Sequence, residues 1–205
     1  YKDIIFESHE VGALASSNPH DWTPVRFKVL GAIRNKSMQQ AKLYRCDYYF
    51  VVDCDNFITP STLKELVSKN KPIIAPMLRA IPNPQDCYSN FFCDISPSGY
   101  YKNHPDYMQI LARQKVGTFQ EPVVHCTYLI QTGCIDKLTY VDGTDDYEFV
   151  IFSRSARNSD VGQFICNEKD FGVLLHPEDT CTRLEEAKIM QEWLALHFEK
   201  NTGSP

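Results

Sequence analysis

Residues 48–77 read YYFVVDCDNFITPSTLKELVSKNKPIIAPM and indicate the class of the fold. Tyr48–Val52 is a continuous apolar, β-rich run, which is typical of a strand covered on both faces. Thr59-Pro60 predicts the start of a helix, since Thr caps helices and Pro suits their first position. Pro72–Met77 reads as a second buried strand. A strand, a helix and a strand within about 30 residues predict a right-handed parallel unit of an α/β sheet.

The sequence on either side continues this alternation of helices and strands. Thr23-Pro24 predicts a helix that runs to about Arg45, with apolar residues at helical spacing. Further strands are predicted at residues 3–7, 88–95, 122–131 and 162–166, and further helices at residues 105–114, 145–156 and 183–200. The last helix carries one apolar stripe, formed by Leu184, Ala187, Met190, Leu194 and Phe198. We therefore predict a single α/β domain over residues 1–205, with a mixed, mostly parallel sheet flanked by helices.

The composition excludes several classes of protein. The net charge of −5 argues against a protein that binds nucleic acid through a basic surface. Hydrophobic residues make up 43% of the chain and aromatic residues 12%, which is enough for a core and argues against disorder. No apolar run approaches the length needed to cross a bilayer. We expect a globular domain with no nucleic-acid partner and no membrane span in this segment.

The eight cysteines do not form a recognisable metal site. They contain no CxxC pair, and no group of Cys and His has the spacing of a structural zinc site. Several lie inside apolar runs, where a free Cys behaves as a small hydrophobic residue. We therefore expect mostly free thiols.

The segment Asp53-Cys54-Asp55 places two carboxylates at the end of the first buried strand. Ligands in open α/β sheets bind beyond the carboxyl ends of the strands, which is where this pair lies. Carboxylate oxygens suit hard cations such as Mn²⁺ or Mg²⁺, which in turn bridge diphosphate oxygens. The alternative is a solvated turn, because Asp and Asn are common after strands. On these three residues alone, the turn is the better interpretation.

Several short motifs follow this pair along the chain: APML at 75–78, YSNFFC at 88–93, GYYK at 99–102, PDY at 105–107, EPVVH at 121–125, DD at 145–146 and CNEKDFG at 166–172. In this order they resemble the motifs of the collagen β(1-O)galactosyltransferase family, the procollagen galactosyltransferases of glycosyltransferase family 25. The resemblance covers roughly residues 22–175. It implies a GT-A-like nucleotide-diphospho-sugar transferase fold, with Asp53 and Asp55 as a DxD site for Mn²⁺ (or Mg²⁺).

The resemblance also implies an activity. The chain would move a hexose, galactose in this family, from a UDP-sugar donor to a hydroxyl acceptor such as hydroxylysine of collagen-like sequence. Transfer from a UDP-α-sugar to a β-linked product inverts the anomeric centre and needs a general base beside the acceptor hydroxyl. We expect Asp146 to be this base, with Asp145 as the next candidate. The alternative is that one of them only caps the helix that follows.

Five further residues are candidates for substrate binding in this comparison. Tyr88, Asn90 and Phe92 would line the sugar or acceptor site, because aromatic faces pack on sugar rings and an amide bonds hydroxyls. A core position is the alternative for Phe92. Arg34 matches a basic residue of the family and would face the diphosphate, unless it is a solvated helix-surface residue. His125 would contact substrate or supply a third metal ligand, although a lone strand histidine is more often a core or surface residue.

Two alternatives to this activity stay open. A GT-A sheet normally begins with a strand and loop that hold the nucleotide base, and only residues 1–7 precede the first long helix. We expect that opening unit to be missing or shortened, which supports a non-catalytic GT-A-like binding or adhesion module. The other alternative is a transferase that acts on a microbial glycan. A protein like its animal relatives would be in the endoplasmic reticulum lumen, with pairing among Cys87, Cys93, Cys126 and Cys134; a microbial one would be cytoplasmic.

Overall fold

The computed structural model describes residues 22–82, 87–176 and 182–197, together with residues 4 and 6. Its helices are α1 (Pro24–Leu43), α2 (Thr62–Ser68), α3 (Pro105–Leu111), α4 (Glu148–Asn158) and α5 (Arg183–His197), and a 3-10 helix covers Thr132–Lys137. Its strands are β1 (Tyr48–Val52), β2 (Asn56–Ile58), β3 (Ile73–Pro76), β4 (Arg79–Ile81), β5 (Phe91–Phe92), β6 (Thr118–Gln120), β7 (Val123–Val124), β8 (Thr127–Gln131), β9 (Gln163–Cys166) and β10 (Gly172–Leu175). The strand predicted at residues 3–7 lies outside the continuous described ranges. None of the helices in those ranges combines the length and apolar character that crossing a bilayer requires.

The main sheet has five strands in the order β1-β8-β3-β9-β6. β3 and β9 are parallel neighbours, whereas β8 runs antiparallel to both β1 and β3, and β6 runs antiparallel to β9. β1 and β3 therefore point the same way, as the unit at residues 48–77 predicts, but β8 lies between them. The structure confirms a mixed α/β sheet flanked by helices.

Both faces of this sheet are covered, as the continuous apolar runs predict. Neighbouring strand residues point to opposite faces, so Ile73 packs with Met38 of α1 and Phe152 of α4, whereas Ile74 packs with Leu66 of α2. β3 is buried along its whole length. β1 is mostly half-buried, because it is the first strand in the order.

Several elements differ from the sequence prediction at their ends. The single strand expected at residues 122–131 is divided into β7 and β8, because Cys126 has a φ of 62° and interrupts the extended chain. Of the strand expected at residues 88–95, only β5 is regular, and it pairs with β7. α2 begins after Ser61 rather than after Thr59, and α4 begins at Glu148, later than predicted.

The terminal helix predicted at residues 183–200 is confirmed over Arg183–His197, but its apolar stripe is not the side that packs on the protein. Leu184 and Leu194 are exposed, whereas the ring of Trp193 lies 5.5 Å from that of Phe57 on β2. The helix therefore packs through a neighbouring side, because β2 offers its aromatic contact there. Phe198 lies outside the described residues.

Two glycines allow the close approaches that position the candidate site. A Cβ on Gly31 would lie 2.6 Å from the carbonyl oxygen of Tyr140, so α1 packs directly on that segment and brings Arg34 to the sheet. Gly172 has a φ of 133°, and a Cβ there would lie 1.9 Å from the carbonyl oxygen of Phe57. This contact lets β10 lie antiparallel to β2 and parallel to β4 in a second, three-stranded sheet.

Six cysteines of the described residues carry free thiols: Cys46, Cys54, Cys93, Cys126, Cys134 and Cys166. This confirms the expectation of mostly free thiols for these six. The disulfide pairing among Cys87, Cys93, Cys126 and Cys134 is not formed, so that expectation is wrong.

Candidate functional site

The turn after β1 fixes the two aspartates of the predicted metal site. The backbone N–H of Asp53 donates to the carbonyl of Cys126 at 3.1 Å, and that of Asn56 donates to the carbonyl of Asp53 at 3.1 Å. The carbonyl of Asp55 accepts from the N–H of Leu175 at 2.9 Å, at the end of β10. The carboxyl end of β1 is thus tied to two other strands. The two carboxylates stand at the edge where the sequence predicts a ligand.

Arg34 joins this edge from α1. Its guanidinium donates from Nη2 to Oδ1 of Asp53 at 2.8 Å and from Nη1 to the hydroxyl of Tyr128 at 3.3 Å. Only 12% of its side chain is exposed, so the alternative of a solvated helix-surface residue is wrong. Burial works to lower the pKa of Arg34, but Tyr128 and Asp53 outweigh it and raise the pKa above its usual value.

Glu148 is a site residue that the sequence analysis missed. It lies in the first turn of α4, its side chain is only 7% exposed, and its Oε1 is 3.5 Å from Nη2 of Arg34. Arg34 therefore lies between two carboxylates, those of Asp53 and Glu148. The available signal was a glutamate directly before the apolar run Phe149–Phe152, a position that turns toward the core when a helix begins there.

The two aspartates keep uncompensated negative charge. Burial raises the pKa of Asp53 against the opposing effect of Arg34, and the charge of Glu148 raises it further. Burial also raises the pKa of Asp55, and the charge of Asp53 adds to the increase. When these three carboxylates are ionised, the guanidinium of Arg34 balances one of them, which leaves two negative charges in excess among these four side chains. A nearby positive charge would relieve this repulsion.

The donor set fits a divalent cation that is shared with a phosphorylated ligand. Within the described ranges, no group of three His, Cys, Asp or Glu residues is arranged to hold a metal ion by itself. Mg²⁺-like cations are commonly held by one or two carboxylates together with substrate phosphates, rather than by a closed set of protein ligands. Asp53 and Asp55, with an excess of two negative charges around them, are such a partial set.

His125 is buried beneath an aromatic group rather than joined to the two aspartates. Its ring stacks on Phe149 at 4.8 Å and lies 5.4 Å from the ring of Phe92. Nδ1 is 2.9 Å from Sγ of Cys126, and the buried Nε2 has no hydrogen-bond partner among the described residues. Burial, with the positive charge of Arg34, lowers the pKa of His125 to about 3, so the ring is neutral at neutral pH.

The other three residues predicted to bind substrate lie in different settings. Tyr88 is half-buried and stacks on His176, with ring centroids 4.1 Å apart. Phe92 is also half-buried and contacts Tyr101 edge-on, with centroids 5.4 Å apart. Asn90 is fully buried. Its side-chain amide donates to a carbonyl at the end of β3 at 2.8 Å and accepts from a backbone N–H just beyond it at 2.9 Å. The polar atoms of Asn90 therefore hold the chain after β3.

The two candidate bases lie just before α4. Asp145 is exposed and pairs with Lys28 at 2.6 Å. Asp146 pairs with Arg154 and accepts from the hydroxyl of Tyr100 at 3.0 Å. The hydrogen bond from Arg154 is the main cause of its lowered pKa.

Neither aspartate caps the helix. α4 begins at Glu148, and the residue at its N-cap is Tyr147, with no side-chain cap bond. The capping alternative for Asp145 and Asp146 is therefore wrong. Glu148 lies two residues after Asp146 and contacts Arg34. The segment that carries the two candidate bases therefore continues directly into the site.

Comparison of the sequence with known proteins assigns the chain to a family. The sequence model of glycosyltransferase family 25, N-terminal domain, matches residues 3–194. The chain is 36% identical over 176 residues to procollagen galactosyltransferase 2 of Homo sapiens, covering 82% of this chain and 28% of that protein. It is 32% identical over 181 residues to inactive glycosyltransferase 25 family member 3 of Mus musculus, covering 83% of this chain and 29% of that protein. The chain thus spans less than a third of the length of these curated relatives.

Among solved structures, the chain is similar to S. aureus TarS 1-349 in complex with UDP-GlcNAc. The TM-score is 0.44 at 13% sequence identity, and the match covers 82% of this chain and 53% of that chain. The family assignment rests on the sequence comparisons, which extend over most of the described residues. The chain belongs to glycosyltransferase family 25, in the region of its N-terminal domain.

Proposed function

We propose that this chain is a metal-dependent, inverting glycosyltransferase domain. It would move a hexose, galactose in the first instance, from a UDP-sugar to a hydroxyl acceptor such as hydroxylysine of collagen-like sequence. The observation that carries the proposal is the excess of two negative charges around Asp53 and Asp55 at the carboxyl end of β1, in a family 25 chain. This charge suits Mn²⁺ or Mg²⁺ bound together with a diphosphate.

Several residues of the site would bind and activate the UDP-sugar donor. Asp53 and Asp55 would hold the cation, which supplies positive charge to the departing diphosphate when bound. Arg34 fixes Asp53 through Oδ1, so the carboxylate is oriented before the donor binds. The half-buried rings of Tyr88 and Phe92 would offer apolar faces to the sugar.

Attack by the acceptor hydroxyl on the sugar requires a general base. The acceptor oxygen forms a bond to the anomeric carbon as the bond from that carbon to the diphosphate oxygen breaks, and the hydroxyl proton passes to a carboxylate. Asp146 is our first candidate and Asp145 the second. Asp146 is ionised at neutral pH, although its bond from Arg154 lowers its pKa and hence its strength as a base. Asp145 is open to solvent just before the same helix.

The release of UDP tests the proposal directly. Purified protein with UDP-galactose or UDP-glucose should release UDP when Mn²⁺ is present and should stop when the metal is removed. Asp55→Asn should abolish the release, because it removes one of the two metal carboxylates. Asp136→Asn is the matched control, since Asp136 lies on the surface beside Lys42. Undiminished UDP release by Asp55→Asn would contradict the metal role.

The acceptor is tested separately. A hydroxylysine-containing collagen peptide and a panel of glycans should be offered with UDP-galactose, and the products weighed by mass spectrometry. We expect the peptide to gain a hexose. A hexose gained only by glycans would reject the collagen acceptor and support a transferase for microbial glycans.

A non-catalytic binding or adhesion module is the second candidate function. It is favoured by three relatives at 30–32% identity that are named inactive or probable inactive members of the family. A module of this kind would bind UDP in the presence of Mn²⁺ but would release no UDP from any UDP-hexose, whatever acceptor is added. Isothermal titration beside the UDP-release assay separates the two functions.

A further inference from the structure

Glu148 is the buried carboxylate of the site that the proposed function leaves without a role. It is held in the first turn of α4 with a side chain that is 7% exposed, and its carboxylate faces the guanidinium of Arg34 at 3.5 Å. A charged group buried to this degree needs a partner, and the partner is itself bound to Asp53 at 2.8 Å. Glu148 and Asp53 thus share a single buried cation.

This sharing changes what Asp53 can do. A guanidinium with Asp53 as its only carboxylate would neutralise that aspartate and repel a second cation placed beside it. Because Glu148 balances the charge of Arg34, Asp53 keeps its bond to Arg34 and still contributes net negative charge toward Asp55. Electrostatic effects at such distances are strong where water is largely excluded.

We propose that Glu148 is a positioning residue that neutralises Arg34 and thereby lets Asp53 bind the divalent cation of the nucleotide-sugar. This inference rests on the proposed function, since it assigns Glu148 to the same metal site. In this role Glu148 acts through Arg34 and does not itself touch the metal ion or the substrate. Residues that hold a metal ligand from behind in this way commonly change metal affinity about 10- to 100-fold when they are altered.

Direct measurement of Mn²⁺ binding tests this role without relying on activity. The electron paramagnetic resonance signal of free Mn²⁺ should be followed during titration of the protein with UDP present. Glu148→Gln, which keeps the size and removes the charge, should weaken Mn²⁺ binding about 10- to 100-fold. Glu148→Asp keeps the charge and should weaken it much less. Glu65→Gln is the matched control, because Glu65 also lies in the first turn of a helix, α2, and pairs with a cationic side chain, that of Lys169 at 2.5 Å.

A double substitution separates charge balance from a purely structural role. Arg34→Gln combined with Glu148→Gln restores the excess of two negative charges, so it should recover most of the affinity that Glu148→Gln loses. A structural role predicts the reverse, because the double variant removes more of the buried network. Thermal unfolding of each variant by circular dichroism checks that the titrated protein is folded.

The outcomes are distinct. Equal Mn²⁺ affinity in wild type and Glu148→Gln would overturn the role of Glu148 and leave the proposed function intact. A double variant that binds Mn²⁺ no better than Glu148→Gln would also overturn it. Wild-type protein that binds no Mn²⁺ in the presence of UDP would overturn the proposed function, and this inference with it.

Discussion

The molecule contains two groups with the same charges, one arginine between two acids, and they behave in opposite ways. Arg34 lies between Asp53 and Glu148, with side chains that are 12%, 33% and 7% exposed. Arg154 pairs with two acids of the loop before α4, residues 142 and 146, and all three side chains are 26–28% exposed. The two groups differ in the burial of Arg34 and Glu148, since the side chain of Asp53 is about as exposed as the acids of the Arg154 group.

The pKa values of the acids shift in opposite directions in the two groups. In the Arg34 group, burial raises the pKa of Asp53 in spite of the arginine. In the Arg154 group, the hydrogen bond from the arginine lowers the pKa of Asp146. Desolvation works to raise the pKa of Asp142, but the hydrogen bonds from Thr144 and the charge of Arg154 together outweigh it and lower the pKa. Both groups carry one excess negative charge. In the Arg154 group hydrogen bonds stabilise the ionised acids, whereas in the Arg34 group, beside Asp55, a bound cation would stabilise them.

Catalysis should give the largest difference between the groups. If Asp146 is the general base, Asp146→Asn should lower kcat about 10²- to 10⁴-fold with little change in the KM for the UDP-sugar. Asp145→Asn is the neighbouring comparison, and steady-state kinetics with the collagen peptide is the measurement. A loss seen only in Asp145→Asn would move the base to that residue. Full activity in both variants would remove both from the mechanism.

Stability should give the next largest difference. Arg34→Met leaves two carboxylates buried without their partner and should lower the free energy of unfolding by about 3–5 kcal/mol. Arg154→Met breaks a more exposed pair and should cost no more than about 1 kcal/mol. Urea unfolding followed by circular dichroism measures both. Equal losses would contradict the view that burial distinguishes the groups.

Acid should act on the Arg34 side of the molecule through His125, because burial lowers the pKa of this residue to about 3. The raised pKa values of Asp53 and Asp55 act in the opposite direction. The unfolded chain binds a proton on this histidine below its ordinary pKa of 6.5, and the folded chain does not. The contribution of neutral His125 to the free energy of unfolding is therefore present above pH 6.5. It is lost as the pH falls toward 3, by up to about 1.4 kcal/mol per pH unit.

The lowered pKa values of Asp142 and Asp146 make the Arg154 group insensitive to pH in this window, because both acids stay ionised down to their usual range. Between about pH 7 and about pH 5, the free energy of unfolding of His125→Gln should therefore fall by about 2 kcal/mol less than that of the wild type. Free energies of unfolding at the two pH values measure it. A variant that loses as much stability as the wild type would show that His125 is not the responsible group.

Salt should produce the smallest difference. Raising the ionic strength from about 0.1 M to about 1 M shortens the screening length and acts mainly on exposed charges. The cost of Arg154→Met should vanish at high salt, whereas the cost of Arg34→Met should persist. Urea unfolding at both salt concentrations measures this. A cost of Arg34→Met that also disappears would place its group effectively in solvent.

The fold was predictable where the signal was local. The cap and proline at Thr23-Pro24 gave the start of α1, and the apolar runs at residues 48–52 and 72–77 gave β1 and β3. The insertion of β8 between those strands was not predictable, because pairing depends on contacts between distant segments. The break at Cys126 was hidden as well, since its left-handed backbone leaves no mark in the apolar pattern.

The residues of the candidate site also differ in how far the sequence could predict them. Asp53 and Asp55 were predictable because they are neighbours in the sequence and follow a recognisable strand. Glu148 was missed and Arg34 was left open, because their meeting requires α1 and α4 to pack against the end of β1. The motif around Asn90 drew attention to a residue whose amide is used by the backbone after β3.

The binding of Mn²⁺ to the protein in the presence of UDP tests the central claim most directly. The titration should compare wild type with Asp55→Asn from the Arg34 side and with Asp142→Asn from the Arg154 group. We predict that wild type and Asp142→Asn bind Mn²⁺ with similar affinity and that Asp55→Asn loses the binding. Asp55→Asn that binds Mn²⁺ as tightly as wild type would contradict a cation site at the end of β1.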